Sequence, residues 1–378
     1  MLQKIWEFEP ISRIELVDKT SLTSGTITNL TLELLKSGVI RETELHSKTV
    51  GRKRVMLRLD TRTHRLVGID IGRNSIEIVL TDLNGRVITS NEMSTEEIHE
   101  PMVIVDQVSK LVLKLKATIQ EKGHRLLGVG LSIPGPMNWE QGILMNPPNF
   151  PGWNQFPIRT KLQEALGMDV QVNDDARTSA LAERWFGLGR KNSNLVLITL
   201  GIGIGGGVIM NGELHYGVNG LYGQIGHQTV QSQGERCACG NSGCWETIGS
   251  IPGILKQWKG GTGKTIKDFF EELHRHEPEA VRVWQNTFRY MTDAFTNIFN
   301  FYDPELIVLT GKLFPYFANE LPRLRDEVRA RVYPFVRDRV KIESSTFGTS
   351  QSAAGAASLV LDKLMKEPFT ILNSLSLS

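Results

Sequence analysis

Apolar positions along the chain change their period several times, and each change predicts an element. Ile27, Leu30, Leu34 and Leu35 recur at helical spacing, one face of a helix that Thr23 or Ser24 would cap and Gly38 would close. A shorter helix before it begins at Ser12, where Ser12-Arg13-Ile14-Glu15 fits a capping box, and runs to about Lys19. Residues 39–59 then read as a two-stranded hairpin, and residues 60–65 (DTRTHR) carry no apolar pattern. That polar link divides the chain into residues 1–60 and 61–378.

Two later segments follow one plan. Residues 66–85 and 195–212 each read as an apolar strand, a glycine-containing turn, a second strand and an Asn-Gly pair. They lie about 130 residues apart, which points to internal duplication. Between and beyond them the period predicts helices at 101–122, 178–185, 266–274, 278–301 and 352–365. Strands are predicted at 126–133, 168–172 and 306–309, the second leading into Asn173-Asp174-Asp175. Strands alternating with helices over some three hundred residues define an α/β class. The tail after Pro368 is expected to lack structure.

Composition narrows the picture. With 40% apolar and 22% charged residues in 378, the chain is ordinary for a soluble globular protein. A net charge of +2 gives no global affinity for polyanions, so a nucleic-acid case must be local. No apolar stretch suits a signal peptide or a membrane span, and the three clustered cysteines fit a reducing compartment; cytoplasm is the expected location. Local charge does exist. Lys48, Arg52, Lys53, Arg54 and Arg58 fall between residues 46 and 59 with no acidic residue among them. Ahead of this basic hairpin, Ser24, Thr26, Thr28 and Asn29 put small hydrogen-bonding side chains at the start of the second helix. The order suits a winged helix-turn-helix, with those residues and Arg52, Lys53 and Arg54 facing double-stranded DNA. The plainer alternative is a helical hairpin used for dimerisation.

All three cysteines lie in residues 223–246. His227 is followed after nine residues by Cys237, then Cys239 and Cys244. A Cys₃His set suits tetrahedral zinc in a closed, structural site, held by a loop over residues 227–244. The competing reading is three buried thiols beside an ordinary histidine.

The run I-G-H followed by C-x-C-G-x-x-G-C-x-E resembles the ROK family of repressors, open reading frames and sugar kinases, in particular its regulators with an amino-terminal helix-turn-helix. The resemblance implies a two-lobed, actin-like (ribonuclease H-like, sugar kinase) fold whose lobes hold a sugar between them. It implies Asn173 and Asp174 as sugar ligands, with Asp174 the base if the chain phosphorylates sugars. It adds His227 and Glu246, and, less directly, Gly135 and Asn149. Gln224 stands where the family usually has glutamate, which would alter hydroxyl preference.

The nucleotide side departs from the kinases. The first phosphate turn, usually D-x-G-G-T, reads Asp70-Ile71-Gly72-Arg73-Asn74. The second, usually containing G-T-G, reads Gly201-Ile202-Gly203, and the adenosine-side glycines shrink to Thr310-Gly311-Lys312. The resemblance thus implies a sugar-responsive regulator, a repressor of carbohydrate genes, that binds an operator as a homodimer or homotetramer. The alternatives are an ATP-dependent sugar kinase carrying a DNA-binding domain, and a regulator whose input is a protein docked on the cysteine loop.

Overall fold

The computed structural model describes residues 1–45, 54–95, 100–147, 152–258, 263–347 and 351–374. Three helices open the chain: α1 (Leu2–Phe8), α2 (Arg13–Thr20) and α3 (Ser24–Ser37). The capping box forms: Ser12 accepts the Glu15 amide, and Glu15 accepts the Ser12 amide at 2.8 Å. Thr23 caps α3 by accepting the Thr26 amide, and Gly38 ends it at φ 75°. Strands β1 (Ile40–Leu45) and β2 (Arg54–Leu59) pair antiparallel, Ile40 opposite Leu59. Arg13 fastens these pieces together, with Nε on Thr31 Oγ1 at 3.0 Å and a terminal nitrogen on Glu42 at 2.8 Å. Helix α1 was not legible in the pattern. It is seven residues long and lacks a side-chain cap, but Leu2, Ile5 and Trp6 are buried against α2 and β2.

The remaining elements of the first half are β3 (His64–Ile71), β4 (Ser75–Thr81), β5 (Val87–Ser94), α4 (Pro101–Glu121), β6 (Arg125–Ile133), the short pair β7 (Met137–Asn138) and β8 (Ile143–Leu144), α5 (Ile158–Leu166), β9 (Val170–Asp174) and α6 (Asp175–Phe186). The second half holds β10 (Leu195–Leu200), β11 (Ile204–Met210), β12 (Glu213–Leu214), α7 (Glu246–Gly249), α8 (Ile251–Gln257), α9 (Ile266–His274), α10 (Pro278–Tyr302), β13 (Leu306–Thr310), α11 (Phe314–Phe317), α12 (Leu321–Arg331) and β14 (Ile342–Ser344). Helices α13 (Gln351–Lys366) and α14 (Pro368–Ser374) close the chain.

The chain divides into two compact units, Met1–Thr178 with Thr349–Ser378, and Ser179–Gly348. Each contains one five-stranded sheet. The orders are β5-β4-β3-β6-β9 and β12-β11-β10-β13-β14. Numbered within its own unit, each sheet runs 3-2-1-4-5, with an antiparallel hairpin on one side of the first strand and parallel strands on the other. The duplication suggested by the two strand-turn-strand segments therefore extends to the whole sheet.

In the first unit, one face of the sheet packs on α4 and α5 through Val67, Ile69, Val129, Leu131, Val108 and Leu162. The other takes α13. Gly68 and Gly130 are paired in register across β3 and β6, and the facing stretch of α13 is Ala353, Ala354, Gly355, Ala356, Ala357. A methyl group on Gly68 would overlap the Ala353 carbonyl; one on Gly130 would overlap that of Ala356. Helix and sheet backbones thus meet directly. In the second unit, the core lies between the sheet and α10, with the Trp245 ring edge-on to Phe295 at 5.7 Å.

The carboxyl tail departs from expectation. Residues 368–374 form α14, which packs on α13 and buries Ile371, so the break at Pro368 starts a new helix; residues 375–378 lie outside the described residues. Among the described residues, no helix is long and apolar enough to cross a membrane.

The close approach gives a prediction. Gly130→Ala should lower stability by about 3 kcal/mol or more, an overpacking cost with no flexible neighbour to yield. Thermal melting would measure it, and an unchanged Tm would mean that α13 can lift off the sheet freely.

Candidate ligand and metal sites

The cysteine loop is built by turns. A 3₁₀ turn over Ile225–His227 presents the histidine, and isolated bridges Thr229 to Cys244 and Arg236 to Ser242 fold the loop back on itself. Gly243, at φ 72°, lies against the Gln231 backbone, where a side chain would collide. The donor atoms of His227, Cys237, Cys239 and Cys244 all lie within 4.8 Å of one another. His227 Nδ1 is 3.6 Å from Cys237 Sγ, and Cys239 Sγ is 3.7 Å from Cys244 Sγ. A tetrahedral ion with metal–sulfur bonds of about 2.3 Å and a metal–nitrogen bond of about 2.0 Å sets these edges near 3.5 and 3.8 Å. The residues therefore fit a metal ion.

The charges make the same point. Burial pushes the Cys244 thiol up to about 12 and also raises Cys237, while the backbone at Asn241 lowers Cys239. Three thiolates this close need a cation to stay ionised together.

Around that loop, His227 turns Nδ1 toward Cys237, leaving Nε2 for another partner. Glu246 opens α7 and accepts the Ile204 amide at 2.8 Å, with its carboxylate against Gly203 of the second glycine turn. Gln224 is exposed just ahead of the 3₁₀ turn. In that glycine turn, Ile202 is 44% exposed.

In the first unit, β6 and β9 run parallel with Ser132 opposite Asn173 and Ile133 opposite Asp174. Their carboxyl ends bring Gly135 against Asp174, a Cβ on the glycine lying 3.5 Å from that of the aspartate. Asn173 is buried, and its side-chain oxygen accepts the Asp174 amide at 3.0 Å. Asn149 lies outside the described residues.

Asp174 caps α6. One carboxylate oxygen accepts the Arg177 amide, and the other pairs with the Arg177 guanidinium, both at 2.9 Å. Arg177 is itself buried, and sequence reading missed it, although the Asp-x-x-Arg spacing at a helix start was the available signal. Burial pushes the Asp174 carboxyl above the usual range, opposed by Arg177. Its neighbour Asp175 is raised to about 7 by burial and then by the charges of Asp174 and Asp70, with Arg73 of the first glycine turn partly offsetting them.

Among the expected DNA contacts, Ser24, Thr26, Thr28 and Asn29 are exposed on α3, and Arg54 is exposed on β2. Arg52 and Lys53 lie outside the described residues. Two of the hydroxyls are already engaged: Thr28 donates to the Ser24 carbonyl at 2.9 Å, and Thr26 Oγ1 lies 2.9 Å from that of Thr23.

These sites lie on a known framework. The profile of the ROK family matches residues 66–363, and the chain belongs to that family. A crystal structure of a ROK family transcriptional regulator, a homolog of the E. coli MLC protein, is similar with a TM-score of 0.83 at 27% identity, over 98% of this chain and 97% of that one. The xylose repressor of Bacillus spizizenii is 28% identical over 97% of this chain and 94% of its own. A glucokinase of Halalkalibacterium halodurans is 30% identical over 78% of this chain and 94% of its own.

Two predictions follow from this geometry. A strong chelator should release about one metal ion per chain, expose three reactive thiols and lower Tm, because the binding free energy of a structural ion is folding free energy. A protein as purified with no ion and three thiols reactive from the start would remove the metal reading. The second concerns Asp175. A carboxyl whose folded pKa exceeds its unfolded value of 3.8 gives stability that is full below that value and lost as pH rises through about 7. Asp175→Asn, which keeps the oxygen that accepts the Ala176 amide, should raise Tm by a few degrees at pH 8 and leave it unchanged near pH 4. A lower Tm at pH 8 would mean that the charged form is the stabilising one.

Proposed function

We propose that this protein is a sugar-responsive transcriptional repressor, built from a winged helix-turn-helix over residues 1–60 and a sugar-binding domain over residues 61–378. The observation that carries this reading is the extent of similarity. The repressor and the transcriptional regulator align over 97% and 98% of the chain, whereas the glucokinase aligns over 78%. The part outside the family profile begins the chain, where α2, a three-residue turn, α3 and a basic hairpin follow in the order of a DNA-binding unit.

The sugar-binding residues are Asn173, Asp174, Gly135, Asn149, Gln224, His227 and Glu246. The ion at His227, Cys237, Cys239 and Cys244 is zinc, and its role is structural: it fixes the loop so that His227 Nε2 and Glu246 present their polar atoms at a set spacing. Asp174 serves as a hydrogen-bond acceptor. Its engagement by Arg177, the arginine in the first glycine turn and the isoleucine in the second all favour binding over phosphoryl transfer. Sugar binding changes operator affinity because the sugar prefers one arrangement of the DNA-binding units in a homodimer or homotetramer.

A mobility-shift titration tests this, with a duplex selected by the protein and D-xylose, D-glucose and N-acetylglucosamine as effectors. One sugar should weaken DNA binding by about 5- to 150-fold, the usual range of allosteric coupling. Asp174→Asn should shift the sugar dependence to higher concentration while leaving sugar-free DNA binding intact. Indifference to every sugar would count against the reading, and sugar-dependent ATP consumption abolished by Asp174→Asn would replace it with a kinase.

A further inference from the structure

We infer that Leu32 reads thymine methyl groups, so that the operator carries thymine where the middle of α3 meets the major groove. The inference rests on the DNA-binding reading of α3 given above and goes beyond it to a residue and a base.

Successive residues of a helix are turned by about 100°, so Ile27, Thr31 and Leu34, all buried, fix the inner side of α3. The opposite side carries Gly25, Asn29, Leu32, Glu33 and Lys36, all exposed, with exposed Thr28 at its edge. Leu32 stands between the middle of that side and its Thr28 edge, and is 46% exposed. Two turns earlier on the same line is Gly25. A Cβ built there meets nothing within 4 Å, so the first turn of α3 has a low profile that lets its backbone come close to base edges.

The hydroxyls on this side are mostly engaged within the helix. Thr28, four residues before Leu32, donates to the Ser24 carbonyl, and Thr26 is bound to the capping Thr23. Turned inward in this way, Thr28 contributes its methyl group rather than a free donor. The outer face therefore offers an apolar strip, Thr28 and Leu32, beside one amide, Asn29, with the exposed Glu33 carboxylate beyond that amide. In the major groove only thymine presents a methyl group, and an asparagine amide matches the adenine edge. A strip of this kind next to an amide fits a step rich in A·T pairs. Lys36 one turn further, with Arg54 and Arg58 exposed on β2 of the same unit, gives the surroundings the charge a polyanion requires.

The experiment uses the full-length protein and duplexes it enriches from a random-sequence library. Each thymine of the enriched duplex is replaced in turn by deoxyuridine, which removes only the methyl group. One or two positions should lose about fourfold in affinity, the factor expected for one buried methyl. Leu32→Ala should weaken binding to the thymine duplex and make it indifferent to uracil at those same positions. Since Leu32 is exposed, the variant should keep the parent Tm and a binding loss can be assigned to the contact. Failure to enrich any sequence would overturn the DNA-binding reading itself. An enriched duplex indifferent to uracil throughout, or a Leu32→Ala variant that still distinguishes thymine from uracil, would overturn this inference alone. So would a Leu32→Ala variant whose DNA affinity is unchanged while its oligomeric mass falls, which would make the exposed leucine a subunit contact.

Discussion

Helix α13 lies directly on the backbone of β3 and β6, and most of the first unit is arranged around that contact. Gly68 and Gly130 leave no room for a side chain beneath Ala353 and Ala356. Close backbone approach of this kind fixes distance and register far more tightly than interdigitating large side chains, because nothing in it can adopt another rotamer. The same helix touches β4 and β9, takes α14 on its far portion and meets α1 at the start of the chain. It therefore ties the sheet that ends in Asn173 and Asp174 to the helices proposed to meet DNA. A unit whose sheet is covered by a helix from residues 351–366 that also meets α1 must bring distant segments together before it is stable.

The cysteine loop solves a different problem. Residues 228–245 contain no regular element longer than a turn, and a loop of that length would ordinarily hold side chains loosely. Four donors within 4.8 Å, two isolated bridges and the tight glycine at 243 restrain it instead. The consequence is chemical as well as structural. With Nδ1 of His227 directed at the cysteines, its ring has one free nitrogen of fixed direction, and Glu246 follows two residues after the last cysteine. Rigid polar groups discriminate between hydroxyl arrangements because a mismatched ligand leaves a group without its hydrogen bond.

Much of this was legible in the residues, and the reasons differ by element. The capping box at Ser12, the Gly38 terminus and the two Asn-Gly pairs each depend on interactions within a few residues, so the local sequence carries them whole. The Cys₃His set was readable because thiolate chemistry restricts how such residues can be spaced. Three kinds of feature were not. Helix α1 and helix α14 are seven residues each, shorter than the window over which a helical period becomes distinct, and both exist by packing on longer helices. Arg177 looked like one more charge on a helix, and only its burial beside Asp174 gives it a role. The hydroxyls of Thr26 and Thr28 looked available because sequence does not record which way a side chain turns.

The link at residues 60–65 bears on how a sugar could be felt at the DNA. Polar and without an apolar pattern in the sequence, it forms a tight turn in the structure. Asp60 is buried and holds Arg62 through two contacts at 3.0 and 2.7 Å, and His64 already belongs to β3. The His64 ring is packed against Gly38, the terminus of α3, and burial followed by the charge of Arg125 lowers its pKa to about 4, keeping it neutral. From that ring the strand runs directly into the sheet whose parallel strands β6 and β9 end at Ile133 and Asp174. The proposed division at residue 60 is therefore one of role, since residues 1–60 fall in the same compact unit as the first sheet. A helix fastened to its sheet at Gly38 and, through α2 and then α1, at α13 moves with the unit that carries it. Any sugar-dependent change in DNA affinity must then arise from rearranging whole units, within a chain or between subunits, and not from bending at the link.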